Sequence, residues 1–313
     1  MTLLLRRAEI AQLMDLRKAM SVLEGVYKDQ AESKIDAVAP LRLMDRGMRL
    51  VAGGLPARDR IGLRLSVTGS EAIALLFEIS SGNLLAIMGY PFSSLRIGAT
   101  VGLALERLAR PGARSAALIG SGRNATALLE AAISVRPIER ISVYSRNPER
   151  RESFARKASQ TPGVPVVSVS SPQEAIDGSE IVLVSTNSPE PALLGKWLCP
   201  GQSVFGAGRP NEFDEEVYLR ASLIVVSSKV HELGYYDTAL DQPLISLSQE
   251  KRIDWAKVAE LGHIVTGKVS PPATSDSIAV FRESQGGYSD VALAAWAYEE
   301  ARKRGIGTEV SID

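Results

Sequence analysis

The sequence predicts an α/β fold, with a doubly wound parallel sheet joined to a second domain of α+β type. Three observations predict it. From Ser115 onward, short apolar runs alternate with helical segments, the pattern of βαβ units. A glycine-rich turn, Gly120-Ser121-Gly122-Arg123-Asn124-Ala125, stands where the first of those runs meets a helix. The first hundred residues instead show a helix, a strictly alternating strand and two apolar runs joined by a short turn.

At 313 residues the chain exceeds the usual size of one domain. Its hydrophobic fraction of 45% and charged fraction of 23% are ordinary for a globular protein and exclude disordered, collagen-like and coiled-coil classes. Thirty-six basic residues balance thirty-six acidic ones, so no net field draws the chain to nucleic acid or to an anionic membrane, and a small molecule is the expected partner. One cysteine, Cys199, forbids an internal disulfide, and with only His231 and His263 beside it a metal centre is poorly supplied. The opening Leu3-Leu4-Leu5 is too short for a signal-peptide core, and no run approaches the roughly 18 apolar residues of a membrane span. The expectation is a soluble, cytoplasmic protein without a membrane segment.

The elements follow in order. Leu13, Leu16, Met20, Leu23 and Tyr27 alternate spacings of three and four, which predicts a helix over 8–27. Residues 60–67 alternate strictly, which predicts a half-buried strand with Ile61, Leu63, Leu65 and Val67 inward and Arg60, Gly62, Arg64 and Ser66 on the other side. Apolar runs at 72–79 and 84–88 flank Ser81-Gly82-Asn83, a hairpin connection. A helix from Ser94 to Ala109 stops before Pro111-Gly112, where the pattern changes and a domain boundary is expected. Strands are then expected at 115–119, 140–144, 164–169, 180–185, 202–206 and 222–227, with capped helix starts at Asn147-Pro148 and Ser171-Pro172. A last helix over 289–304 ends in Arg302-Lys303-Arg304-Gly305. Residues 1–110 and 290–313 therefore read as one domain and 111–289 as the other.

In the glycine turn, the first glycine permits a tight turn, the second admits a pyrophosphate against the backbone, and Ala125 lets the helix pack on the strand. Ala125, Leu128, Leu129, Ala132 and Ile133 make one apolar helix face, and Ile141-Ser142-Val143-Tyr144 is the next strand, completing a Rossmann-type dinucleotide unit. An acid at the end of that strand would accept the ribose 2′-hydroxyl; here stand Ser145, Arg146 and Asn147. An arginine suits a 2′-phosphate, so NADP(H) is preferred, with NAD(H) possible. Ser185, Thr186, Asn187 and Ser188 follow the fourth strand and are expected to line the cofactor crevice.

With these pieces placed, the chain resembles the ornithine cyclodeaminase/mu-crystallin family, collinearly over about residues 3–308. The resemblance rests on Pro40-Leu41-Arg42, Gly62 to Val67, Gly82-Asn83-Leu84-Leu85-Ala86, Leu95-Arg96-Ile97-Gly98-Ala99, the glycine turn, Ser185-Thr186-Asn187-Ser188, Gly201 to Gly208, Glu260-Leu261-Gly262, Thr266-Gly267-Lys268 and Phe281 through Asp290. It implies a dinucleotide-binding domain fused to a substrate-binding, dimerising domain, and hence a homodimer. It also implies that Arg96 clamps a substrate carboxylate and that Arg42 and Arg64 face the substrate. Arg64 replaces the family's usual lysine and is better suited to clamp charge than to pass a proton. Gly208 stands at the substrate-binding position where the cyclodeaminases carry an aspartate, which disfavours ornithine cyclodeamination.

The expected activity is NADP(H)-dependent reduction of the C=N bond of a small 2-imino carboxylate, a ketimine or a cyclic imino acid such as pyrroline-2-carboxylate, to an amino acid. The alternatives are an alanine dehydrogenase-like reductive aminase and a cofactor-bound binding protein. Glu78, on a predicted strand, is a candidate proton donor if buried. His231-Glu232 is expected to be solvated loop structure, and His263, Met14, Met20, Trp296 and Cys199 to be structural.

Overall fold

The computed structural model describes residues 1–43, 47–67, 70–160, 163–235, 241–272, 274–284 and 286–312. The chain folds into two compact units, Met1–Arg96 with Ser228–Tyr236 and Gln285–Asp313, and Ile97–Ser227 with Asp237–Ser284. The division falls within the helix Ser93–Leu108 rather than after residue 110, and residues 228–236 group with the first unit. A continuous helix carries no composition break to announce such a division.

In the first unit, β1 (Thr2–Leu5), β2 (Asp36–Ala37), β3 (Leu41–Arg42), β4 (Met48–Leu55), β5 (Arg60–Val67), β6 (Ile73–Glu78) and β7 (Leu84–Gly89) form one sheet with the C-terminal strand Thr308–Val310. The order is C-terminal strand, β1, β7, β6, β5, β4, β2, with β3 also paired to β4. From β4 to β7 the pairing is antiparallel, and β1 joins β7 in parallel. The helix expected over 8–27 is divided. A short turn of helix, Arg7–Ile10, precedes the main helix Leu16–Ala31, which starts where the Asp15 carboxylate accepts the Lys18 amide N–H at 2.8 Å. Leu13 and Met14 are buried in the link between them.

β5 alternates as predicted, with the faces exchanged. Gly62 and Arg64 are buried, whereas Ile61 and Val67 are each 43% exposed. The C-terminal helix Gly287–Arg304 covers the Arg64 face. Backbone meets backbone there: a Cβ on Gly53 of β4 would lie 2.3 Å from the Tyr288 nitrogen, and one on Gly287 only 1.9 Å from the Ala52 carbonyl oxygen. Two glycines thus let the start of the helix rest directly on the sheet. Tyr288, whose hydroxyl accepts from Gln30 Nε2 at 2.8 Å, ties the same point to the helix Leu16–Ala31. Burying arginines beneath a helix is feasible only with a counter-charge, which that helix brings as Asp290.

In the second unit, β8 (Ser115–Ile119), β9 (Arg140–Tyr144), β10 (Val166–Ser168), β11 (Ile181–Val184), β12 (Ser203–Gly206), β13 (Leu223–Val226), β14 (Ala259–Glu260) and β15 (Ala279–Arg282) form an all-parallel sheet. The order is β10, β9, β8, β11, β12, β15, β13, β14, so the chain reverses direction across the sheet between β8 and β11. This is the doubly wound arrangement the sequence predicts. β15 is not among the expected strands. Its four residues are inserted between β12 and β13, with Val280 and Phe281 fully buried. Ala117, Val182, Val184, Val204, Phe213 and Val280 belong to the core of this unit. Among the described residues, no helix is long and apolar enough to cross a membrane.

Candidate active site

The register of the first unit gathers basic residues from three strands. Arg42 of β3 pairs with Arg49 of β4, Arg49 also pairs with Ser66 of β5, and Val51 of β4 pairs with Arg64 of β5. Cross-strand partners share a face, and residues two apart on a strand do so too. Arg42, Arg49 and Arg64 therefore stand on one face of the sheet. Asp290 in the first turn of the C-terminal helix meets them: its Oδ2 accepts from Arg64 Nε at 2.9 Å, and its Oδ1 lies 3.1 Å from Arg96 Nε and accepts from the Tyr90 hydroxyl at 2.9 Å. Arg64, Arg96, Tyr90 and Asp290 are all buried.

One carboxylate thus sits between two buried guanidinium groups. Burial alone would raise the Asp290 pKa, but the Arg64 and Arg96 charges and the hydrogen bonds from Arg64 and Tyr90 outweigh it and hold the carboxyl below its ordinary value. Burial, and then the Asp290 charge, push the Tyr90 phenol well up, so it remains a donor. Arg49 is lowered to about 10, first by burial and then by the Arg64 charge, with Arg42 and Arg96 acting in the same direction. Of the expected residues, Arg42, Arg64 and Arg96 come together in this unit. Arg49, Tyr90 and Asp290 complete the group and are not among the site residues that sequence reasoning picks out. The signal for Arg49 is present, since it interrupts the apolar run Met48–Leu55, but its partner strand cannot be placed from sequence alone.

His231 is fully buried, against the expectation of a solvated loop. It lies on a short helix, Lys229–Leu233, capped by Ser228. Nε2 faces the Gly287 amide N–H at 3.3 Å and Nδ1 faces the Ser228 hydroxyl at 2.9 Å. Accepting at Nε2 places the proton of a neutral ring on Nδ1. Burial, and then the Arg96 charge, lower its pKa to about 4, so it is neutral at physiological pH. Glu78 does not join this group. It caps its hairpin by accepting from the Ser81 hydroxyl at 2.7 Å and faces Arg60 at 3.5 Å, four residue positions along β5 from Arg64, or about 14 Å.

The second unit carries the glycine turn. Gly120 has φ +110°, and a Cβ there would lie 2.2 Å from the Ser185 carbonyl oxygen, so only glycine fits between the ends of β8 and β11. Nothing lies within 4 Å of where a Gly122 Cβ would be, leaving room for a ligand to approach the backbone. The helix Ala125–Val135 follows, and no side chain of its N-cap residue, Asn124, caps its first turn. Exposed Arg123 flanks this opening. The Ser121 hydroxyl donates to the Ser145 hydroxyl at 2.9 Å, joining the turn to the end of β9. There Arg146 is exposed, while the Asn147 side chain accepts from the Arg150 amide as a helix cap. Arg151 lies over the Tyr144 ring and donates to the Ser145 carbonyl at 3.0 Å, a second cation at this strand end that sequence reasoning misses.

Ser185, Thr186 and Asn187 form the loop after β11, beside Gly120. Buried Glu212 fastens this loop to the one after β12: its Oε2 accepts the Thr186 N–H at 3.3 Å and its Oε1 the Gly208 N–H at 2.8 Å. Arg282, also buried, balances the charge at 3.6 Å. A Cβ on Gly208 would lie 2.2 Å from Glu212 Oε2 and 2.7 Å from the Thr186 carbonyl oxygen. No side chain fits there without displacing this bracket. The donors and open backbone of the turn suit a dinucleotide phosphate, and the Gly208 position is closed to a side chain.

The profile of the ornithine cyclodeaminase/mu-crystallin family matches residues 38–305. A Delta(1)-pyrroline-2-carboxylate reductase of Bacillus cereus is 29% identical over 266 residues, 82% of this chain and 78% of the relative. Ketimine reductase mu-crystallin of Mus musculus is 29% identical over 240 residues, 75% of this chain and 71% of its own. The structure of Thermococcus litoralis Delta(1)-pyrroline-2-carboxylate reductase, in complex with NADH and L-proline, superposes with a TM-score of 0.88 at 26% identity, covering 99% of this chain and 100% of that one.

Proposed function

The chain belongs to the ornithine cyclodeaminase/mu-crystallin family, and from that premise we propose that it is an NAD(P)H-dependent imino-acid reductase that prefers NADPH. The observation that carries the reading is the arginine face against Asp290, in a chain whose Gly208 position is closed to a cyclodeaminase aspartate. The substrate is a small 2-imino carboxylate, a ketimine or a cyclic imino acid such as pyrroline-2-carboxylate. The first unit binds it and the second binds the dinucleotide.

Arg96 and Arg42 hold the substrate carboxylate, for which guanidinium geometry is suited. Arg64, fixed by Asp290, stabilises charge near the reacting carbon rather than donating a proton. Asp290 keeps both arginines oriented, and Tyr90 completes its hydrogen bonding. Gly120, Ser121, Gly122, Arg123, Asn124 and Ala125 hold the pyrophosphate, Ser185, Thr186 and Asn187 line the crevice, and Ser145, Arg146 and Asn147 meet the adenosine ribose. The bound nicotinamide supplies the hydride. The missing acid after β9 and the two arginines there, Arg146 and Arg151, support a 2′-phosphate and hence NADPH.

The other face of the first sheet supports a homodimer. Met48, Ile61, Val67 and Ile73 lie exposed on adjoining strands β4 to β6, an apolar surface of the kind a second copy would cover.

The test is oxidation of NADPH and NADH with a panel of cyclic imino acids and 2-oxo acids, each with and without ammonia. Ammonia-independent consumption of a cyclic imine, faster with NADPH, is the expected result. An absolute need for ammonia would instead favour reductive amination, and tight cofactor binding without any turnover a binding role.

A further inference from the structure

Resting on the reading that the second unit binds a nicotinamide dinucleotide, we propose that Asn211 and Glu212 are positioning residues: they hold the loop after β11 in the shape that receives the nicotinamide half of the cofactor. The need for them starts in the connection itself. In a βαβ unit the loop at the carboxyl end of a strand runs into a helix that fixes it. Among the described residues, the chain from Val184 to Ser203 forms no α-helix, only the short helical turn Gly195–Trp197. The loop is tied instead to the turn that follows β12, Pro210–Glu212. Glu212 Oε2 accepts the Thr186 N–H, and the Glu212 carbonyl accepts the N–H groups of Ala192 and Leu193 at 2.9 and 3.0 Å. Asn211 Nδ2 donates to the Pro189 carbonyl at 2.6 Å and to the Ser188 carbonyl at 3.4 Å. Both side chains are buried.

This loop borders the phosphate turn. At its start the Ser185 carbonyl oxygen and Thr186 Cγ2 stand 2.2 and 3.3 Å from where a Gly120 Cβ would be. The sheet reverses direction between β8 and β11, and a dinucleotide lies across such a point, adenosine at the end of β9 and nicotinamide on the side of β11 and β12. Glu212 Oε1 accepts the Gly208 N–H on that second side, so one carboxylate sets two loops at once. The adenosine end, at Ser145, Arg146 and Asn147, lies on the far side of β8 from this bracket. Stability alone does not call for such a group, because a buried ion pair like that of Glu212 with Arg282, at 3.6 Å, gains little over apolar packing. What the carboxylate adds is an acceptor oxygen for each loop, which fixes their spacing.

The test compares each dinucleotide with its adenosine half, NADPH with 2′,5′-ADP and NADH with ADP, on wild type, Glu212→Gln and Asn211→Ala. Dinucleotide binding is followed by nicotinamide fluorescence and the half-molecules by competition, with folding checked by circular dichroism. Glutamine at 212 keeps one acceptor oxygen and so releases one loop. The dinucleotide should then bind roughly tenfold more weakly, with the adenosine half within about twofold of wild type. Asn211→Ala leaves the charges of Glu212 and Arg282 in place and removes an amide whose Oδ1 is buried without a partner among the described residues, so it is expected to fold even where Glu212→Gln does not. Its dinucleotide affinity should fall about threefold, with the half-molecule unchanged. A merely structural role would weaken whole and half alike, and that result, or unchanged dinucleotide binding in both variants, overturns the proposal. Failure of the dinucleotide reading would look different: wild type itself would bind neither NADPH nor NADH, and the proposal would fall with it.

Discussion

The two candidate binding regions are built in opposite ways. The glycine turn of the second unit is made from backbone and from residues adjacent in sequence, Gly120 to Ala125, and its chemistry is that of amide groups and an open approach. The arginine face of the first unit is made from side chains on β3, β4, β5, the start of the helix Ser93–Leu108 and the C-terminal helix, drawn from positions 42 to 290. The first kind of site is cheap to hold, because its polar groups are those of an ordinary helix start. The second places charge inside the protein and depends on each partner being present.

The largest expected effect breaks the assembled site. Asp290→Asn leaves Arg64 and Arg96 buried without their shared carboxylate, which should cost about 3–5 kcal/mol. The urea midpoint of the variant measures this. Pairing Asp290→Asn with Arg64→Met should recover part of the loss, because one of the stranded charges is then gone. A midpoint close to that of wild type would mean that the arginines find other partners and that the triad contributes little.

The contrast also explains how much is legible beforehand. The doubly wound sheet, the glycine turn and the two loops beside it are readable because each is encoded within about thirty residues by periodicity, glycines and caps. β15 is not: it is no shorter than β11, β12 or β13, but it pairs out of chain order, inserted between β12 and β13, and no local signal contains those pairings. The faces of β5 read in reverse for a physical reason: alternation reports which residues are alike, not which side is covered. Ile61 and Val67 remain exposed, while Arg64 is buried because a helix more than two hundred residues later brings Asp290. Arg42, Arg64 and Arg96 are singled out by family resemblance. Arg49 and His231 need the register and the helix contacts, which no local signal contains.

The second effect breaks the local site and tests whether its two glycines do different work. Gly120→Ala must place a Cβ 2.2 Å from a carbonyl oxygen at φ +110°, and should cost about 3 kcal/mol in stability. Gly122→Ala meets nothing in the protein and should melt within about 0.5 kcal/mol of wild type. It should still weaken NADPH binding roughly tenfold, because the added methyl group occupies the space where phosphate approaches. Thermal melts with and without NADPH read both effects. Equal destabilisation by the two substitutions would mean that the turn is purely structural.

The smallest of the three effects sharpens the assembled site by titrating its support. His231 is held near pKa 4 in the folded protein, against an ordinary value of about 6.5 when unfolded. Between those values the unfolded chain takes up a proton that the folded chain does not, so stability falls as pH drops through that window and is insensitive to this group above it. The full difference corresponds to about 3.4 kcal/mol, of which about 2.5 is lost between pH 7 and pH 4.5. His231→Gln can still accept the Gly287 N–H but has no proton to gain, so its stability should change less between pH 7 and pH 4.5 than that of wild type. Asp290 supplies the internal comparison. Its depressed pKa makes its contribution full above the ordinary carboxylate value and lost only as pH falls further, through the folded-state value. If the wild-type and His231→Gln stability curves run parallel from pH 7 to 4.5, the folded imidazole takes up its proton over the same range as the unfolded one, and the hydrogen bond from Gly287 to Nε2 is not what fixes the start of the C-terminal helix.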